Sequence, residues 1–534
     1  MYRFFEILPA ALAWLTIILM FLLSWLTPAF AAVFIILFDV YWLLKSIYLS
    51  IHLRHTFSEM KVNLAIDWLA KLKSEKAGRW EDIWHLVLMP MATEPYEVVR
   101  ESFESLAKTN YPKDKFIVVL ATEARLGEKA QEVARRIEKD FGDKFGRFLR
   151  TTHPADLSGE IPGKGSNEAW AAKEVKRLII DPLISAQSPT SPLSGIKANQ
   201  RENNAKDREK IRTASQNNSH SFASRSSISY DRILTSVFDI DTQVPPEYFG
   251  RLTCAFLETP NNLRVIYQPI PFFVNNIYQA PALARVVSFS ATFWQMMQQA
   301  RPERLTAFSS QSLPFRVVVD IDFWQKDIVS EDSRVFWQGY LRYHGDFRVV
   351  PLCMPVFMDA NVAPTFWRTM INIYKQQRRW AWGVENTPYL LTGFLRDSII
   401  PLSKKWYWAL IDIEGRHAWA TNSLLIFALG WLPLLLGGDA FNASLLSYNL
   451  PRLTRYIIDV SMIGIATSAI LSVVLLPPKP KWIRFWHYPL YILQWALLPI
   501  TLIVFGALPA LDAQTRLALG GKFRLGFWVT PKGR

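Results

Sequence analysis

Cysteine is nearly missing from this 534-residue chain: Cys254 and Cys353 are the only two, and they lie far apart. That excludes a disulfide framework and a cysteine-based metal site. No internal repeat and no nucleic-acid motif occurs, and the basic residues are interleaved with acids along the chain, so nucleic acid is not an expected partner. No small-residue cleavage pattern follows the first apolar run, and the N-terminus reads as a retained anchor. Large apolar groups are almost absent from residues 184–229, which are rich in Ser, Asn, Gln and Lys. Such a segment cannot bury a core and is expected to be a flexible surface insertion.

What is present is apolar and basic. Half the residues are hydrophobic, 21 are Trp, and the net charge is +14. This is too apolar for disorder and too charged for a wholly membrane-embedded transporter, and the positive balance suits a cytoplasmic membrane surface. Apolar stretches at 7–26 and 29–48 each approach the ~20 residues that cross a bilayer. Three more follow at 418–436, 456–476 and 486–508, with Trp and Tyr at their ends. Asp39 lies inside the second stretch and is expected to pack against a partner helix. Basic residues at Arg54, Lys61, Lys404 and Lys405 place the middle region on the cytoplasmic side. Three C-terminal spans would put the basic tail outside, so one of them is expected to be re-entrant or split around Pro499.

The middle region alternates strand and helix signals. Residues 84–89, 116–120, 234–240 and 316–319 read as short buried strands, and 94–108 and 128–141 as helices. Alternation of this kind predicts a parallel-dominated α/β sheet, with ligands gathered at the carboxyl ends of the strands. The expected organisation is a transmembrane hairpin at 1–53, a cytoplasmic α/β domain at 54–385, interfacial helices at 386–417, transmembrane helices at 418–510 and a basic tail at 511–534.

Several short patterns carry chemistry. Asp239-Ile240-Asp241 ends an apolar strand; in an extended chain both carboxylates would point one way and offer hard oxygens to Mg²⁺ or Mn²⁺. Asp320-Ile321-Asp322 has the same form, and pattern alone does not choose between them. Glu331-Asp332 opens a helix, either as simple capping or with Asp332 as a general base. Thr93 and Glu94 follow the first strand, and Glu123 the second. Lys164, in Pro162-Gly163-Lys164-Gly165-Ser166-Asn167, opens a helix where it could meet a phosphate, although the spacing is not that of a P-loop. Gln376, Arg379 and Trp380 share one helical face, joining an amide, a fixed guanidinium and a flat indole.

In this order, and flanked by membrane spans, these motifs resemble the membrane-embedded family 2 glycosyltransferases, the group of cellulose, hyaluronan and chitin synthases. The resemblance covers most of the chain and implies a GT-A-like (Rossmann-like) cytoplasmic glycosyltransferase domain among transmembrane helices of the plasma (inner) membrane. It selects Asp239 and Asp241 as the metal pair and leaves Asp320 and Asp322 as structural. It implies Asp332 as base, with Thr93, Glu94, Glu123, Lys164, Glu331, Gln376, Arg379 and Trp380 around donor and acceptor. The implied reaction is inverting, metal-dependent transfer from a nucleotide-sugar, expected to be UDP-linked, to a polysaccharide or other glycan. A single transfer to a lipid-linked acceptor would use many of the same residues. A transporter with a regulatory domain would need more intramembrane charge than Asp39 and Asp459 supply. The sequence departs from the family pattern at Ala121-Thr122-Glu123-Ala124-Arg125, where an Asp-rich turn is usual, which leaves the choice of nucleotide open.

Overall fold

The computed structural model describes residues 1–186, 228–526 and 528–529. The expected insertion at 184–229 falls, except at its two ends, outside the described residues. Seven strands form the central sheet: β1 (Trp84–Pro90), β2 (Phe116–Glu123), β3 (Arg147–His153), β4 (Ile233–Val237), β5 (Val265–Phe273), β6 (Ser312–Pro314) and β7 (Arg348–Met358). Their order is β3-β2-β1-β4-β6-β5-β7. Only β6 runs antiparallel to its neighbours; the other pairings are parallel. The sheet is thus the parallel-dominated α/β sheet that the alternation predicts.

Strand side chains alternate between two buried layers, as the period of two requires. Leu86 and Leu88 join Ile117, Val119, Ala169, Ala172 and Val175 on one face. Val87 and Met89 join Val118, Leu120, Val99, Phe103 and Ile137 on the other. Strand order reverses between β1 and β4: β2 and β3 extend one way, and β4 onward the other. At such a reversal the helices leave in opposite directions and open a crevice beyond the carboxyl ends.

Two strand expectations need correction. Residues 316–319 lie in a short helix, Phe315–Asp320, that follows β6. Val317 and Val318 are both buried there, so burial on successive residues mimicked a core strand. The strand expected at 234–240 ends at Val237, which leaves Asp239 in the turn beyond it.

Among the described residues, four helices are long and apolar enough to cross a membrane: Tyr2–Leu26, Pro28–Ala65, Leu445–Val474 and His487–Leu519. The pair Leu402–Phe427 and Leu429–Leu436, bent by 49°, makes a fifth if counted as one span. The break therefore falls at Ala428 and not around Pro499, which lies inside a continuous helical stretch. Helix also runs past both expected boundaries, starting at Leu402 before 418 and ending at Leu519 after 510. Asp39 is buried on the helix that packs along Leu445–Val474.

Candidate active site

Lys164 is where the separated motifs meet. It is the first residue of helix Lys164–Val175, and its side chain is nine-tenths buried. Its ammonium donates to both oxygens of Asp332, at 2.9 and 2.8 Å, and lies 2.9 Å from Asp239 Oδ1. Glu168, one helical turn on, is 3.6 Å away, and Glu331 is 3.8 Å away. Four carboxylates from three distant segments therefore surround one ammonium.

Sequence reasoning missed Glu168. Its side chain is fully buried, and neither carboxylate oxygen receives a hydrogen bond. The available signal was its spacing: residues i and i+4 share a helix face, so Glu168 had to accompany Lys164. Gly165 explains the close approach of the next segment. A Cβ there would stand 3.0 Å from Glu331 Cβ and 3.1 Å from the Gln325 carbonyl oxygen, so any larger residue must push these neighbours back by a few tenths of an ångström.

Asp239 and Asp241 occupy a turn, closed by a 2.9 Å hydrogen bond from Thr242 N–H to the Asp239 carbonyl. The extended-chain reason for aiming both carboxylates one way therefore fails. Asp239 is partly exposed and also accepts from Ser309 Oγ at 2.9 Å. Asp241 is fully buried, and its Oδ2 accepts from the Asp359 N–H at 2.9 Å. The turn is braced where Gln243 and Phe357 exchange backbone hydrogen bonds with β7. From the end of β7 the chain reaches Asn361, whose amide donates to Gln376 at 3.4 Å.

Glu331 and Asp332 open helix Glu331–Arg342. The loop before them is held by Glu385, another residue that sequence reasoning missed. Its Oε1 accepts from Val329 N–H, Ser330 N–H and Ser330 Oγ at 3.1, 2.9 and 2.7 Å, and its Oε2 from the Trp382 indole at 2.9 Å. Arg334, almost fully buried, donates to Asn386, to Gln325 and to the Glu385 carbonyl, and lies over the Tyr389 ring. This network ties the position of Asp332 to the segment that follows helix Phe366–Ala381.

That helix carries Gln376, Arg379 and Trp380. The Arg379 charge favours the ionised forms of Glu331 and Asp332, so it lies within their electrostatic reach. Trp380 packs on Phe273 at the end of β5, ring centres 5.6 Å apart. The neighbouring Arg378 pairs with Asp512 at 2.9 Å, which pins this helix to His487–Leu519.

The remaining candidates follow the carboxyl ends of β1 and β2. Thr93 is exposed just beyond β1, and Glu94 accepts from the Ala92 N–H at 2.7 Å. Glu123 ends β2 buried, and Arg125 clasps it through two hydrogen bonds of 2.6 and 3.0 Å. The second Asp-x-Asp is engaged elsewhere: Asp320 accepts from Tyr343, while the Asp322 side chain is 92% exposed with a backbone φ of 58°.

Charge balance dominates the chemistry of this site. Burial alone would lower the Lys164 pKa, but Asp239, Asp332, Glu168 and Glu331 together raise it well above its ordinary value. Burial and then the Asp332 charge push Glu331 up to about 8, against the pull of Lys164 and Arg379. Burial raises Asp332 as well; Lys164 opposes this and Asp239 adds to it. Burial likewise raises Glu168 well above the carboxylate range. The donor set suits a hard divalent ion: carboxylate oxygens of Glu168, Glu331 and Asp332 lie within 4.8 Å of one another.

No family model matches the chain, and no curated protein matches it. Among solved structures it is similar to the Pyrobaculum calidifontis mannosyltransferase PcManGT in complex with GDP-Man and Mn²⁺. That TM-score is 0.39 at 11% identity, over 78% of this chain and 99% of the other. Residues 1–349 of S. aureus TarS in complex with UDP-GlcNAc give 0.31 at 13% identity, over 73% of this chain and 90% of TarS 1–349. Superposition this loose leaves the chemistry to the residues themselves.

Proposed function

We propose that this chain is a membrane-embedded family 2 glycosyltransferase with a GT-A-like domain. It transfers a sugar from a nucleotide-sugar to a glycan or lipid-linked acceptor at the cytoplasmic face of the plasma (inner) membrane. The observation that carries the reading is the junction at Lys164 of Asp239 and Asp332, residues more than ninety positions apart, in hydrogen-bonding distance of one ammonium and beside Arg379. An isolated helix cap has no need of a buried cation and a second acid from a turn more than ninety positions away.

Asp239 and Asp241 would hold Mg²⁺ or Mn²⁺ together with the donor diphosphate; the ion, when bound, offsets charge on the leaving group. Arg379 adds a fixed positive charge to the same task. Asp332 accepts the proton of an acceptor hydroxyl. The oxygen attacks the anomeric carbon, the new C–O bond forms as the bond to the diphosphate oxygen breaks, and the diphosphate leaves with the electron pair. One displacement inverts the anomeric configuration. Trp380 and Phe273 form an apolar wall of the type on which a sugar face packs. Lys164 and Glu331 set the charge around the base, while Gln376, Thr93, Glu94 and Glu123 border donor and acceptor.

The test is purified protein in detergent with a panel of labelled UDP- and GDP-sugars and Mn²⁺ or Mg²⁺. Transfer or hydrolysis with at least one donor is expected. Asp239→Ala and Asp241→Ala should abolish metal-dependent nucleotide binding, while Asp320→Ala and Asp322→Ala leave it intact. The reverse pattern would show that the other carboxylate pair holds the ion.

A further inference from the structure

Both oxygens of the proposed base are engaged by the Lys164 ammonium at 2.9 and 2.8 Å, and the same ammonium holds Asp239 at 2.9 Å. A carboxylate in that state is a poor proton acceptor, because its lone pairs already face a cation. Nor can a divalent ion use Asp239 fully while an ammonium lies against it. Behind Lys164, Glu168 is fully buried and receives no hydrogen bond, and Glu331 Oε2 is likewise buried without one. Four acids thus face the single Lys164 ammonium, with the Arg379 charge within reach of two of them. The Lys164 ammonium therefore occupies the one place where the base and a metal-holding carboxylate must both be free.

We propose that Lys164 is a resident counter-cation which a divalent ion displaces: it holds the base inactive until the ion and a diphosphate arrive together. With Asp239 engaged by the ion, the ammonium would turn to the diphosphate oxygens and leave both Asp332 oxygens able to accept a proton. Ion and diphosphate then bind cooperatively, since each removes the obstacle to the other. Glu168 keeps a carboxylate behind the ammonium, so that Lys164 has a charge to return to when product leaves. This inference rests on the metal reading given above, and it predicts a binding property that metal dependence alone does not.

The experiment measures Mn²⁺ binding by electron paramagnetic resonance in the full chain in detergent, with and without inorganic pyrophosphate. The parent protein should bind Mn²⁺ weakly alone and about tenfold or more tightly with pyrophosphate. Lys164→Met should bind Mn²⁺ alone about tenfold or more tightly than the parent, and pyrophosphate should then add little. Because Lys164→Met leaves buried acids without their cation, the double variant Lys164→Met/Glu168→Gln, which also replaces the buried acid behind the ammonium with a neutral amide, serves as a folding control and should show the same gain. Mn²⁺ affinity in both variants equal to or below that of the parent would overturn the proposal while leaving the metal reading standing. No Mn²⁺ bound by any of the three proteins, with or without pyrophosphate, would overturn both.

Discussion

Replacing Glu385 tests whether the base depends on a support outside the crevice. Four donors converge on this buried carboxylate: two backbone N–H groups, the Ser330 hydroxyl and the Trp382 indole. Glu385→Ala would leave all four without that acceptor. At ~1 kcal/mol or more for each buried donor stranded, the loss reaches about 4 kcal/mol, a large share of the ~5–15 kcal/mol that holds a typical domain together. Glu385→Gln keeps one oxygen for the three donors at Ser330 and Val329 and turns an NH₂ toward the indole, so it should cost only about 1–2 kcal/mol. Thermal unfolding in detergent should therefore rank parent, Gln and Ala in that order. The two variants should lower kcat more than they raise the donor KM, since the affected loop carries Asp332. A Glu385→Ala protein melting within about a degree of the parent, at full activity, would refute this reasoning.

Two further outcomes follow from the same geometry. Gly165→Ala should push helices Lys164–Val175 and Glu331–Arg342 apart at a 3.0 Å contact, costing ~1–3 kcal/mol as overpacking does and reducing kcat; full activity with an unchanged melting temperature would show that the contact is soft. Glu331 provides a pH test in metal-free protein. Its folded pKa of about 8 lies above its ordinary 4.5, so the native state holds a proton that the unfolded chain has released. That contribution is complete below the ordinary value and is lost as pH rises through about 8. Glu168 and Asp332 act with the same sign. Melting temperature in EDTA should fall between about pH 5 and 9, and less steeply in Glu331→Gln; identical slopes would contradict the assigned shift.

The sequence exposed what was local and hid what was distant. β1 and β2 were readable because unbroken apolar runs such as Leu86-Val87-Leu88 and Ile117-Val118-Val119 are buried on both faces. β5 and β7 went unread because Pro269, Pro271, Pro351 and Pro355 interrupt them. The fold tolerates those prolines because β7 is an edge strand and β5 shifts register between Gln268 and Ile270. Within the site, Lys164, Asp239, Glu331 and Asp332 stood out by motif. Ser309, Asp359 and Glu385 did not, because nothing in their local sequence marks them: each meets the site through a contact made across 55 or more positions. The Asp239–Asp241 turn shows the converse, since the pair was visible and its geometry was not.

The central claim is that Asp332 removes the acceptor proton in a site assembled around Lys164. Asp332→Asn preserves shape and removes the base, so turnover with the active nucleotide-sugar should fall by about 10²–10⁴-fold while donor affinity, measured by calorimetry with Mn²⁺, stays within about threefold of the parent. Turnover near the parent level at intact donor binding would contradict the account.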